Sequence, residues 1–103
     1  MSAMAIRIRR RDPSVIAARA HHVLDAVARA HARWPAEGRP VLNEGFLALD
    51  TALEEYGAAA DEEREQAAGA VTVAMAVLLI TVSVFLGKAV ADRMMRDAPE
   101  VTA

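Results

Sequence analysis

Residues 67–87 read AAGAVTVAMAVLLITVSVFLG, a run of 21 residues without one charged side chain. Asp61-Glu62-Glu63-Arg64-Glu65 stands just before it and Lys88 closes it. A helix rises about 1.5 Å per residue, so the run would be roughly 32 Å long. The hydrocarbon core of a bilayer is about 30 Å thick. A helix that is apolar on every side belongs either in a membrane or at the centre of a core that surrounds it. The rest of the chain offers two amphipathic segments with narrow apolar stripes, plus charged linkers, which is too little to sheath a uniformly apolar rod. The expectation is therefore one transmembrane helix over 67–87, with a soluble oligomer that buries the run between subunits as the alternative. A cleaved signal peptide fits poorly, because its apolar region should follow a short basic start, whereas more than sixty residues precede this run.

Upstream of the run, two helical stripes can be read. Asp12-Pro13 is a good helix start, with Asp able to cap free N–H groups and Pro suited to the first helical position. Ile16, Ala20, Val23, Val27, Ala30 and Trp34 then recur at spacings of three and four, one face of a helix over 12–34. Trp34 precedes Pro35, and the residue before proline is pushed out of helical geometry. Residues 35–40, PAEGRP, form a turn by composition. A second stripe follows over 41–66: Leu42, Phe46, Leu49, Leu53 and Tyr56. Two such helices joined by a short turn should fold back on each other. The interface of that hairpin is expected to comprise Ile16, Val23, Val27, Trp34, Leu42, Phe46, Leu49, Leu53 and Tyr56. Two helices alone give a thin core, so the pair needs a further surface: a second copy, a partner or the bilayer. Tyr56 and Trp34 lie at opposite ends of the hairpin, and either residue type also suits a membrane interface.

The expected fold is all-α: an N-terminal amphipathic helical hairpin followed by a single transmembrane helix. Residues 1–11 form a basic arm and residues 88–103 a short charged tail. Ala58 to Gln66 favours helix, so one long helix can run from about Asn43 through the span to about Arg96, with a kink near Gly57 or Gly69 as the alternative.

Within the span, Gly69, Thr72, Ala76, Ser83 and Gly87 fall near one face. Small residues let helices approach closely, and Thr or Ser can bond across the contact. This face is expected to mediate self-association or docking on another membrane protein, while Val71, Leu78 and Phe85 are expected to meet lipid.

The chemistry of the remaining residues is sparse. Net charge is -2 over 103 residues, which gives no global drive toward nucleic acid. The charge is uneven, with Arg7, Arg9, Arg10 and Arg11 at the start and an acidic stretch from Asp50 to Glu65. The basic arm can touch anionic lipid or RNA, but four arginines on a chain end more commonly form a solvated tail, so a nucleic-acid partner is not expected. There is no cysteine, hence no disulfide framework and no thiolate metal site. His21 and Asp25 lie one helical turn apart, as metal-binding pairs do, yet spacing places no third ligand. No nucleophile with a base, no phosphate loop and no zinc pattern is present. No enzyme activity, cofactor, metal or small-molecule substrate is expected.

Trp34 in a turn between two helices resembles the WXG-type helical hairpins, but Ala36 stands where they carry glycine. The stretch Gly69-Ala-Val-Thr-Val-Ala resembles the start of pilin-like segments, but Ala74 stands where they carry glutamate. Neither resemblance extends to the chain.

Orientation is set by two opposing rules. The span's N-terminal flank carries Arg64, its C-terminal flank Lys88, Arg93 and Arg96. The positive-inside rule puts the C-terminus in the cytosol, yet that demands export of a long tail with nine arginines. The reading adopted is a cytosolic hairpin with a C-terminal anchor. Abundant alanine and arginine, with Lys88 the only lysine, point to a bacterial or phage chain. The expected function is that of a small single-pass membrane protein acting through protein contacts and oligomerisation. The alternatives are a holin-like lysis protein and a soluble oligomeric binding module.

Overall fold

The computed structural model describes residues 13–96, and Asp12 and the basic arm lie outside the described residues. The described chain is helical, with no strand. Its helices are α1 (Pro13–Arg29), α2 (Arg39–Ala58), α3 (Arg64–Leu86) and α4 (Lys88–Arg96), and short 3-10 turns occupy His31–Arg33, Ala36–Gly38 and Asp61–Glu63.

Helix α1 is shorter than the expected 12–34. Its last regular residue is Arg29, and the chain tightens into the His31–Arg33 turn before Trp34 adopts an extended conformation ahead of Pro35. Tightening of this kind is a usual way to use up the last carbonyls of a helix. His31 lies against the Trp34 ring at 4.6 Å between centroids. Trp34 itself is buried, so it plugs the closed end of the hairpin rather than standing at an interface. Helix α2 begins with Arg39 and Pro40, and proline fits its first turn because no intrahelical N–H bond is lost there.

The second hairpin helix does not run on into α3. Ala59 and Ala60 are extended, with ψ of 142° and 160°, and they separate the two helices. The break thus falls near Gly57, two residues beyond it, while Gly57 and Gly69 themselves lie within helices. Arg64 stitches the new corner. Its Nη2 donates to the Ala59 carbonyl at 3.0 Å, and its guanidinium sits 5.6 Å from the Tyr56 ring centroid. That one side chain holds the last turn of α2 beside the first turn of α3.

Helix α3 returns antiparallel to α2 along its whole length. Arg64 meets Tyr56 at one end, Leu78 packs over Gly45 in the middle, and Phe85 packs over Gly38 at the other end. The reason is a stripe of small residues on α2 and the turn before it: Gly38, Gly45 and Ala52, each seven positions apart. A Cβ placed on Gly45 would lie 3.7 Å from the Leu78 Cα, so the two backbones come close at that point.

One core cluster joins all four helices. Val23, Val27, Leu42, Leu49, Val71, Leu78 and Val82 are fully buried in it. The hairpin stripes therefore close on α3 as well as on each other, and the further surface that a two-helix core needs is supplied by this same chain. Of the expected hairpin interface, Val23, Val27, Trp34, Leu42, Leu49 and Leu53 are buried, whereas Ile16, Phe46 and Tyr56 are half-buried at its margin.

The tail after the run also differs from expectation. Gly87 has φ of +105°, a conformation that L side chains rarely adopt, and it ends α3. Residues 88–96 are helical, but as a separate α4 and not as the end of one long helix, and α4 packs against α1 and α3, burying Ala91 and Met94.

Candidate functional site: the open face of α3

Helix α3, with the turn that leads into it, is long and apolar enough to cross a membrane. Only one of its faces is used inside the protein. Ala68, Val71, Met75, Leu78 and Val82 recur at spacings of three and four and form the buried seam. The opposite face is left open. Val73 is 64% exposed, Val77 53%, Ile80 64% and Val84 70%. These four are also spaced three and four apart, so they make a continuous branched-aliphatic stripe about 16 Å long at 1.5 Å per residue. A contiguous exposed apolar stripe is uncommon on a purely solvated face.

The expected assignment of faces is corrected here. Val71 and Leu78, expected to meet lipid, have no exposure at all, and Phe85 is half-buried on Gly38. The hairpin takes the bulky seam because its own small residues leave room for it. The signal that would have found this was the seven-residue recurrence of Gly38, Gly45 and Ala52 on the hairpin side.

The small-residue set occupies the flank between the two faces. Gly69, Thr72 and Ala76 are exposed, while Ser83 and Gly87 are half-buried. Thr72 Oγ1 donates to the Ala68 carbonyl at 3.0 Å, and Thr81 Oγ1 donates to the Val77 carbonyl at 2.9 Å. Both hydroxyl donors are thus satisfied within the helix, which suits an apolar environment and leaves fewer donors for a neighbouring helix.

No group of three His, Cys, Asp or Glu side chains converges among the described residues. His21 is exposed, and Asp25 is exposed one turn further along α1.

What surrounds the open face limits how it can be used. Helix α2 lies alongside α3, and its Glu44, Asp50 and Glu54 are exposed. The antiparallel register sets Asp50 and Glu54 between the Leu78 contact with Gly45 and the Arg64 contact with Tyr56, with Glu44 one residue outside that stretch. The chain matches no protein-family model, no curated protein and no solved structure.

Proposed function

We propose that this is a small non-enzymatic membrane protein that acts through protein contacts, with α3 as the element that enters the bilayer. The observation that carries this reading is the open stripe Val73, Val77, Ile80 and Val84 on a helix that is uncharged from Ala67 to Gly87. The α1–α2 hairpin is its contact-making part, on the cytosolic side, and the small-residue flank serves self-association within the membrane.

Crossing the bilayer involves a rearrangement. With α2 still packed on α3, Glu44, Asp50 and Glu54 would be carried to hydrocarbon depth, at a cost of about 2.5–3.5 kcal/mol for a central aspartate. Insertion therefore separates α3 from α2, with the extended pair Ala59-Ala60 as the hinge. The packed arrangement is the form in which the apolar seam is sheltered before insertion.

The test is fractionation of expressing cells with an alkaline carbonate wash, with protease added to spheroplasts. Retention of the protein in washed membranes, with the hairpin protected in intact spheroplasts, is the expected result. Full release by carbonate would overturn the reading.

The carboxylates of α2 also favour a second reading, a soluble oligomeric module whose open stripes meet between copies. It predicts a monodisperse oligomer without detergent, with residues 73–84 protected from hydrogen exchange only in the oligomer.

A further inference from the structure

Away from the open face, four cationic or protonatable side chains meet around one cleft. The cleft lies between α1 and α4 and has a volume of roughly 190 Å³. Its walls are His22, Arg29 and Arg33 from α1 and the turn after it, and Arg93 from α4, with Ala26, Val90 and Met94 as its apolar floor. Among the described residues, no carboxylate lines it. Asp92, beside Arg93 in sequence, is 3.0 Å from Lys88 Nζ and faces that partner instead, and Asp25, one turn before Arg29 on α1, and Glu37 are exposed outside the lining. Among the described residues, none of the three arginines has a carboxylate partner.

The arrangement follows from the turn at Gly87. It brings α4 back against α1, so that Arg93 joins residues roughly sixty positions earlier in the chain. Like charges gathered in one cleft repel, and an anion held between them removes that repulsion. Guanidinium groups present planar forks of N–H donors that match the oxygens of phosphate. The negative end of the α1 dipole already favours Arg29 and Arg33 as single residues, but it gives no reason for Arg93 to complete the ring from another helix.

We propose that the cleft formed by His22, Arg29, Arg33 and Arg93 is a binding site for a phosphate group. The phosphate is either that of an anionic lipid headgroup or a free phosphate. Position suits the first source, since Val90 and Arg33 also border the apolar side chains of Phe85 and Leu86, which gives the arginines an apolar margin for acyl chains in the packed form. The site belongs to the packed form, because it exists only while α1 lies against α4. It therefore does not depend on whether α3 crosses a membrane.

The test uses the full-length protein purified in a nonionic detergent. Inorganic phosphate is titrated calorimetrically and by thermal unfolding, against sodium chloride at matched ionic strength. In parallel, binding is measured to vesicles of phosphatidylcholine alone and to vesicles containing phosphatidic acid. The variants are R29Q/R33Q/R93Q, and R7Q/R9Q/R10Q/R11Q as a control for the basic arm. A free-phosphate site shows saturable binding of inorganic phosphate that weakens about tenfold or more in the cleft variant, as loss of charge-assisted hydrogen bonds requires. A lipid site shows a preference for phosphatidic acid vesicles that the cleft variant loses and the arm variant keeps. The proposal is overturned if phosphate acts no differently from chloride and the cleft variant keeps the full vesicle preference, because the arginines then form a solvated face only. It is equally overturned if only the arm variant loses the preference and phosphate does not bind. Circular dichroism of each variant separates loss of fold from loss of site.

Discussion

The glycines of this chain divide into those that a Cβ would disturb and those that it would not. At Gly38 an added Cβ would meet the Phe85 ring at 2.7 Å, well inside contact distance. At Gly57, within α2, it would meet nothing within 4 Å. The physical contrast gives opposite signs for the same substitution. Gly57→Ala is expected to raise stability by about 0.5–1 kcal/mol, because alanine loses less backbone freedom in a helix. Gly38→Ala is expected to lower it by about 1–3 kcal/mol, the usual range for forcing an extra carbon into a packed site. Urea unfolding followed by circular dichroism checks both, and equal shifts of one sign would show that Phe85 does not press on Gly38. Gly87 adds a third case with open space around it but φ of +105° and ψ of 147°. Gly87→Ala is expected to cost about 1–3 kcal/mol through backbone strain alone. The same measurement reads it, and a neutral result would mean that the turn into α4 relaxes freely.

Helices were legible in this sequence wherever a three-and-four spacing of apolar residues existed, which covers the stripes of α1 and α2 and the uncharged run of α3. Their ends were less so. Ala59-Ala60 breaks the chain, although alanine is the best helix former. The break is held from outside, by Arg64 bonding back to the Ala59 carbonyl, and no propensity records that. The run of α3 also concealed which of its sides faces inward, because every position is uncharged and the bulky aliphatics fall on more than one side. Only the glycine and alanine spacing on α2 carries that information. That helix can reach Arg96 was legible, but the turn at Gly87 and the return of α4 were not, since nine residues with four charges resemble a solvated tail until Ala91 and Met94 find α1 and α3. The assignment of faces is testable on α3 directly. Val77→Asp with Ile80→Asp places two carboxylates on the open face. In the packed form both positions are exposed, so thermal stability in detergent-free or mild-detergent buffer is expected to change little, within about 0.5 kcal/mol. Retention in carbonate-washed membranes is expected to be lost, since each charge would have to enter hydrocarbon. A large loss of stability with retention unchanged would show that the outer face is covered in the protein itself.

At the scale of the whole molecule, the packing of α3 and its use as a span exclude each other while α2 stays in place. Four exposed carboxylates, Glu44, Asp50, Glu54 and Glu55, travel with α2, and α2 shares nearly the full length of α3. The hinge at Ala59-Ala60 resolves this only if the α2–α3 seam opens, and the chain offers a clean way to forbid it. A Cβ on Gly45 would lie 3.8 Å from the Leu78 Cβ. That is within the span of about 3.5–4.5 Å that a disulfide requires. The sequence has no cysteine, so Gly45→Cys with Leu78→Cys introduces a single possible bridge. The oxidised double variant is expected to hold α3 against α2, to bind membranes at most peripherally and to be released by carbonate. Reduction is expected to restore integration to the level of the Leu78→Cys single variant, which controls for the cavity left by the shortened side chain. If the oxidised form integrates as well as the reduced one, α3 does not leave α2 and the opening step is wrong. If neither the reduced form nor the parent protein integrates, the membrane reading itself fails and the open stripe is left to a second copy. The two failures are distinguishable because the first compares two redox states of one protein, whereas the second is read on the parent chain alone.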